Sequence, residues 1–236
     1  MKLLCSLFLC CISVFGFAQE KGDYMGEIPP GNVPKKFMPN EVSKKDMTDF
    51  GSVFSKDGKA FFYATEPEGR PVIKFTQQID GQWTPFKVVL SHPRYGFNDP
   101  FLSNDEQRLY YISQLPKDDR DVPRNHDIWY SELKGNSWSA PINAGPQINS
   151  DKNEYYMSFT HDGSMYFSSN KEASQRNDFN IYRAQANNQG WNEAVKLSTA
   201  INTDGYEADV FVAPDESYII FSARGRSDSF GSIDLK

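Results

Sequence analysis

The sequence predicts an all-β fold, namely a β-propeller of four-stranded blades with three complete blades, a partial fourth and an incomplete ring. The first observation is a pattern that recurs four times, as SVFSKDGKAFFYAT from Ser52, PFLSNDEQRLYYIS from Pro100, YMSFTHDGSMYFSS from Tyr156 and DVFVAPDESYIIFS from Asp209. The turn aspartates of these copies are 48, 57 and 53 residues apart, a period typical of propeller blades. The second observation is the lack of sustained 3.6-residue periodicity, which leaves little room for helices.

Each repeat has the same order of predicted strands. An alternating apolar run ends at an Asp-Gly or Asp-Glu turn, and a second run rich in Tyr, Phe and Ile follows. A polar loop then leads to a third strand, at residues 72–77, 127–131 and 180–184, and a glycine turn precedes the fourth segment. The predicted blades are residues 49–90, 97–145, 154–200 and 207–236, after a linker at residues 19–32, and the partial propeller spans residues 33–236.

Packing between blades accounts for the recurrence, because one blade cannot bury both faces of its sheet alone. We expect the inter-blade core to include Phe54, Tyr111, Phe159 and Phe167. The residues that define the repeat are expected to be structural, and they are Asp57, Gly58, Asp105, Asp162, Gly163, Asp215, Trp83, Trp138 and Trp191. Glu106 and Glu216 stand where the other turns have glycine, which predicts a different turn type there.

The chain resembles TolB-type, WD-repeat-like β-propeller repeat proteins, which bacteria export. The matching residues are the F-S-x-D-G turn at Phe54 to Gly58, the T-H-D-G-x-x-Y-F-S-S run at Thr160 to Ser169, D-I-W-Y from Asp127 and N-I-Y from Asn180. The resemblance covers about residues 33–236 and implies the propeller fold. Such propellers serve as scaffolds for many jobs, so it implies no particular function.

The first 18 residues have the composition of a signal peptide. Lys2 is followed by an apolar run that is too short to span a membrane, and small residues precede a predicted cleavage between Ala18 and Gln19. We therefore expect a secreted or periplasmic protein with no transmembrane segment in its mature chain. Because Leu9 and Cys10 do not fit the small residues that precede a lipidated cysteine, we expect no lipid anchor. All three cysteines lie in this segment, which excludes disulfides and cysteine nucleophiles from the mature chain.

The two ends of the repeat array carry two further expectations. Phe37 lies as far before its turn aspartate as Ile142 and Val195 do in later repeats, which predicts an outer strand that would close the ring. The sequence stops where the third strand of the fourth repeat begins. We therefore expect a C-terminally truncated copy that lacks at least one blade and is prone to aggregate.

The loops between second and third strands and the crossovers between blades should share one face, and they contain the long polar segments. Function is expected on this loop face, where arginines alternate with acidic residues. The candidate binding residues are Arg70, Asp99, Arg124, Glu154, Arg176, Glu207 and Arg224. Their charges would ring the mouth of the central channel, although ordinary surface ion pairs would produce the same pattern.

No catalytic, metal or cofactor set is predicted. His92, His126 and His161 lie in different repeats, no G-x-S-x-G motif occurs, and the acidic loops lack a calcium-binding pattern. With 31 acidic and 25 basic residues, the chain has no positive excess for nucleic acid. The sequence therefore favours a non-enzymatic module that binds a protein, peptide or glycan in the cell envelope or outside the cell. The alternative is the propeller portion of a larger hydrolase or glycan-active enzyme.

Overall fold

The structure is a computed structural model that describes residues 24–117, 125–172 and 178–236. In these ranges the only helix is a single 3-10 turn, Tyr24–Gly26, and the remaining regular elements are antiparallel strands in four small sheets. The predicted all-β propeller with a partial fourth blade is thus confirmed. The predicted signal peptide lies outside the described residues.

Sheets 1 and 2 each contain four strands in sequential order and one short hairpin strand. Sheet 1 consists of β1 (Asp49–Phe54), β2 (Ala60–Thr65), β3 (Val72–Ile79), β4 (Gln82–Trp83) and β5 (Lys87–Leu90). Sheet 2 consists of β6 (Asn98–Leu102), β7 (Arg108–Ser113), β8 (Asp127–Lys134), β9 (Ser137–Trp138) and β10 (Ile142–Asn143). The short strands β4 and β9 pair with the ends of β3 and β8, while β5 and β10 form the outer edges.

Sheets 3 and 4 continue the pattern. Sheet 3 consists of β11 (Glu154–Phe159), β12 (Met165–Ser169), β13 (Asn180–Ala184) and β16 (Val195–Lys196), with a separate hairpin of β14 (Ala186–Asn187) and β15 (Gly190–Trp191). Sheet 4 has three strands, β17 (Tyr206–Val212), β18 (Ile219–Arg224) and β19 (Asp234–Leu235).

Alternate residues of each second strand face opposite neighbours, as the period of a β-strand requires. In β7, Leu109 and Tyr111 pack against sheet 1, whereas Tyr110 and Ile112 pack against sheet 3. In sheet 3, Tyr166 turns to the other side and joins the core shared with sheet 4. Three continuous cores therefore lie between the four sheets. The expected inter-blade positions of Tyr111, Phe159 and Phe167 are confirmed.

The N-terminal segment covers the outer face of sheet 1. Phe37 packs against Phe54 and Phe61, with ring centroids 6.1 and 5.5 Å away. Residues 27–48 contain no strand, so the expected outer strand at Phe37 is wrong. The expected inter-blade position of Phe54 is also wrong, because this ring faces the N-terminal segment. Phe37 is a partly buried ring of a segment that packs on sheet 1, and it is not part of a strand.

The opposite end of the array has an uncovered face. On sheet 4 the side chains that alternate with the core, including Phe211, Ile220 and Leu235, are exposed. Apolar side chains grouped in this way favour association. The expected tendency to aggregate stays a prediction.

The four turns that follow the first strands have one conformation. The Asp162 carboxylate accepts hydrogen bonds from the Thr160 hydroxyl and from the Ser164 N–H, and its counterparts make similar bonds. Gly58 and Gly163 have φ of 68° and 84°, and Glu106 and Glu216 take the same left-handed conformation at 56° and 57°. The prediction of a different turn type at the two glutamates is therefore wrong.

Contacts with the preceding blade explain the two glutamates. The Glu106 carboxylate accepts the Lys56 N–H at 2.5 Å, and the Glu216 carboxylate accepts the Tyr166 hydroxyl at 2.7 Å. A left-handed conformation costs a residue with a side chain about 1 kcal/mol relative to glycine. These hydrogen bonds between blades offset that cost.

Buried asparagines fasten the crossovers into sheets 3 and 4 to the blade before each. The Asn149 side chain accepts the Ile128 N–H and donates to the Ile128 carbonyl, both at 2.8 Å. Asn202 does the same at Ile181, at 2.7 and 2.9 Å, and also donates to the Leu197 carbonyl. Each amide oxygen is the acceptor for the strand N–H, and each amide N–H is a second donor to a carbonyl that also accepts a backbone N–H, from Ala144 at Ile128 and from Leu197 at Ile181.

Replacing Asn202 by alanine should therefore destabilise the fold. Removal of the amide leaves the buried N–H of Ile181 unpaired, whereas the Ile181 carbonyl still accepts the Leu197 N–H at 3.0 Å. We expect the free energy of unfolding to fall by about 1–3 kcal/mol. Urea denaturation measures the change. The control is Asn188→Ala, which removes an exposed turn side chain and should change the stability by less than about 0.5 kcal/mol. Equal stabilities of the two variants would contradict the anchoring role of Asn202.

Candidate functional site

The first strands of the four sheets meet around a central pocket, and each strand is irregular there. The pairing register shifts between Asp49 and Ser52, Asn98 and Phe101, Tyr155 and Met157, and Ala208 and Phe211. At these β-bulges Asp99, Tyr156 and Asp209 have φ of 49°, 43° and 56°. Bulges redirect side chains, and strained backbone of this kind is concentrated at functional sites.

The pocket has a volume of about 420 Å³ and combines an aromatic wall with a few polar groups. The aromatic lining is Phe50, Tyr155, Tyr156, Phe179 and Tyr206, and the polar lining is Asn98, Asp99, His126 and Asp209. Residues from all four sheets contribute, so the pocket exists only when the blades are assembled.

Backbone contacts between blades hold the entrance of each first strand. The Phe97 N–H donates to the Pro71 carbonyl at 2.9 Å, across the boundary between sheets 1 and 2. The equivalent bonds run from Glu154 to His126 at 2.8 Å and from Glu207 to Phe179 at 3.0 Å. These equivalent backbone bonds hold His126 beside β11 and Phe179 beside β17, the first strands of the next blades.

A row of neighbouring aromatic rings runs along the pocket and connects three blades. His126 lies 5.0 Å from the Tyr155 ring, and its Nδ1 is 2.7 Å from the Tyr155 hydroxyl. Phe179 follows at 5.5 Å from Tyr155, and Tyr206 lies 6.0 Å beyond. The Arg224 guanidinium covers the Tyr206 ring at 5.2 Å.

Two carboxyl groups of this pocket lack a positive partner. Asp99 is only 7% exposed, and one of its oxygens accepts the Gly51 N–H at 3.0 Å. Burial raises the pKa of Asp99 to about 6, and the nearby Asp209 carboxylate raises it further against the effect of that hydrogen bond. Burial also raises the pKa of Asp209. Within the described part of the chain, no Lys, Arg or His nitrogen lies within 4.0 Å of either carboxylate.

Glu154 and Glu207, two of the predicted binding residues, are fully buried. The Glu154 carboxylate accepts the Ser150 N–H at 3.1 Å and the hydroxyls of Ser150 and Ser169 at 2.6 and 2.7 Å. Glu207 accepts the Thr203 N–H at 3.0 Å and pairs with Arg226 at 3.3 Å. Both carboxylates are engaged within the chain, where they hold the crossovers that lead into β11 and β17.

The other predicted site residues lie in different surroundings. Asp99 lines the pocket, Arg224 lies at its edge and Arg70 is exposed. Arg124 and Arg176 lie outside the described residues.

Sequence reasoning missed Asp209 and the aromatic wall as site residues. A positional signal was available, because Gly51, Asp99, Tyr156 and Asp209 each stand six residues before the turn aspartate of their repeat. Of these four positions, only Gly51 has no side chain. A Cβ atom at Gly51 would lie 3.0 Å from the Asp99 Cα, which is tighter than ordinary van der Waals contact. The glycine therefore makes room for the bulge of the next blade.

A larger groove of about 1010 Å³ lies between sheets 2 and 3 on the face of the tight turns. Several of its charged groups have partners within the chain, as Arg108 has in Glu132 at 3.4 Å and Asp105 in the Ser103 hydroxyl at 2.6 Å. Trp191 lies against Tyr110 in this groove, and its indole N–H donates to the Gly163 carbonyl. The central pocket is the better candidate site, because its two carboxyl groups have no positive partner among the described residues.

Within the described ranges, no group of three or more His, Cys, Asp or Glu side chains is arranged to hold a metal ion. His92 stacks on Tyr95, and His161 lies in a turn of sheet 3. The two histidines therefore lie in different parts of the chain.

Comparisons with known proteins address the fold. No protein-family model matches the sequence, and no curated protein matches it. Among solved structures, TolB from Acinetobacter baumannii matches with a TM-score of 0.52 and 16% identity over 80% of this chain. The fold is a β-propeller similar to that of TolB.

Two further structures support this assignment. A puromycin-hydrolyzing peptidase of Mycobacterium tuberculosis matches at TM-score 0.52 and 15% identity over 75% of this chain, and a protein of unknown function from Dyadobacter fermentans matches at 0.50 and 15% over 78%. The chain spans 43% of TolB, 26% of the peptidase and 64% of the Dyadobacter protein. In the described part of the chain, no helix has the length and apolar character to span a membrane.

Stability should depend on pH through Glu154. Burial raises the pKa of Glu154 from 4.5 to about 7, so the folded chain binds this proton more tightly than the unfolded chain does. The resulting stabilisation is complete below about pH 4.5 and is lost as the pH rises through about 7. At about 1.4 kcal/mol per pKa unit it amounts to about 3 kcal/mol.

Urea denaturation at pH 5 and pH 8 measures this effect. The free energy of unfolding should be lower at pH 8, and Glu154→Gln should reduce the difference between the two conditions. A variant that retains the full pH dependence of the wild type would show that another group is responsible.

Proposed function

We propose that this chain is an exported, non-enzymatic propeller module that binds a peptide or protein segment at the central pocket on its loop face. The observation that carries the proposal is a pocket built from all four sheets, with strained bulges and two carboxyl groups that have no positive partner in the described chain. A core packed only for stability would pair or exclude these groups. A ligand that enters the pocket would supply the missing partner.

The aromatic wall supports binding in a second way. Rings from three blades present their faces and edges to the pocket, and aromatic side chains contribute much of the binding energy at protein interfaces. Because backbone bonds between blades hold these rings, little side-chain entropy would be lost when a ligand binds.

Selection from a random peptide library displayed on phage tests the function. The wild-type chain should enrich peptides that Tyr206→Ala captures poorly, because this change removes part of the aromatic wall. The matched control is Tyr218→Ala, which removes an exposed aromatic from the far turn of sheet 4 and should leave capture intact. Failure to enrich any peptide would refute the binding function, and peptides retained fully by Tyr206→Ala would place the site elsewhere.

Export is the second part of the proposal, and it rests on the composition of residues 1–18. We expect the mature protein to begin at Gln19 in a secreted or periplasmic compartment. N-terminal sequencing of the protein recovered from the producing cells checks this, and an intact Met1 would contradict it.

A second function is favoured by the likeness to a peptidase. The solved structure of a puromycin-hydrolyzing peptidase contains a region similar to this chain, which spans 26% of its length. In that case the propeller would be one portion of a larger hydrolase or glycan-active enzyme. Hydrolysis of peptide, ester or glycoside substrates by the full-length gene product would support this alternative over a purely binding module.

A further inference from the structure

We propose that the central pocket recognises an organic cation, the side chain of a lysine or arginine in the bound peptide segment. This inference rests on the proposed function and names the chemistry of its ligand. It follows from the acceptors that the pocket contains, from the aromatic faces around them and from the way in which the backbone holds both.

The pocket contains more hydrogen-bond acceptors than the chain uses. Asp99 has one oxygen occupied by the Gly51 N–H. Asp209 has a hydrogen bond with Ser222 and lies close enough to Asp99 to affect its ionisation. Asn98 lines the same pocket, and its side-chain oxygen is buried with no hydrogen-bond partner. An unmet buried acceptor is costly, whereas an ammonium has three N–H donors and a guanidinium has five. A cation therefore matches this set of groups.

Mutual repulsion of the two carboxylates also favours a cationic ligand. Asp99 and Asp209 are like charges in a partly desolvated site, and no positive side chain of the described residues neutralises them. Arg224 is directed to the Tyr206 ring at the edge of the pocket and does not line it. A ligand cation between the two carboxylates would convert this repulsion into two attractions.

The aromatic wall suits the same ligand. Phe50, Tyr156, Phe179 and Tyr206 line the space around the carboxylates. The negative faces of aromatic rings attract ammonium and guanidinium groups, and the attraction grows when the cation is desolvated. The methylene stem of a lysine or arginine would meanwhile pack against the rings.

The backbone presents these groups in a preformed arrangement. Asp99 and Asp209 occupy the same bulge position in sheets 2 and 4, and both adopt positive φ. Such strain persists only where the surrounding structure enforces it, which here means the paired strands on either side of each bulge. The two carboxylates are thus held near one another before a ligand arrives.

Small amides provide a direct test by isothermal titration calorimetry. The probes are Nα-acetyl-L-lysine amide and Nα-acetyl-L-arginine amide, with Nα-acetyl-L-norleucine amide as the neutral analogue of similar size. At least one cationic probe should bind the full chain about tenfold or more tightly than the neutral one. Equal affinities, or no binding of either cationic probe, would overturn the proposal.

The double variant D99N/D209N should abolish this preference. It removes both negative charges and keeps an oxygen at position 99 that can accept the Gly51 N–H, so the fold should be retained. The matched control, D46N/D80N, removes two exposed carboxylates and should keep the wild-type preference. A preference that survives in D99N/D209N would refute the assignment. If D99N/D209N does not fold, the comparison of charged and neutral probes on the wild type decides.

The peptide library separates failure of this inference from failure of the proposed function. Enriched peptides that depend on Tyr206 but carry no excess of Lys or Arg would leave the binding function standing and refute the cation. The absence of any enriched peptide would refute both.

Discussion

Both faces of every sheet in this chain are apolar, and the packing of one sheet against the next is the constraint on which the rest depends. The second strand of each sheet alternates its large side chains between two neighbours, as Tyr110 and Tyr111 do in sheet 2. A single sheet of this kind could not cover itself, so the sheets must be stacked in series. The N-terminal segment provides the cover where sheet 1 has no preceding blade.

Stacking alone would allow the sheets to slide or rotate, and polar contacts at their edges restrict this freedom. Buried asparagines tie the crossovers to the third strands, and backbone bonds such as that from Glu154 to His126 connect each blade to the next. On the opposite face, Glu106 and Glu216 reach from their turns to the blade before them. Directional bonds on both faces thus set the positions of blades whose apolar cores are themselves non-directional.

The central pocket is a consequence of this arrangement. Four first strands meet there, and their bulges direct side chains of different blades toward one another. Asp99 and Asp209 are more than a hundred residues apart in the sequence, yet each affects a site that neither blade could form alone. The charge carried by this site is unusual because the carboxylates elsewhere in the repeat, such as Glu154 and Glu207, have partners within the chain.

The sequence by itself determined the all-β class, the repeat and its turns, because alternation and Asp-containing turns are local patterns. It also placed Asp99 among the candidate binding residues of the loop face, and the structure places Asp99 at the central pocket. Tertiary structure alone decided that Glu154 and Glu207 are internal anchors, that Phe37 covers a sheet instead of extending one, and that Asp209 joins Asp99. The physical reason is that burial and charge pairing depend on neighbours from other blades. A glutamate that holds a crossover and a glutamate that binds a ligand cannot be distinguished by their local sequence, because only the residues of the neighbouring blades differ.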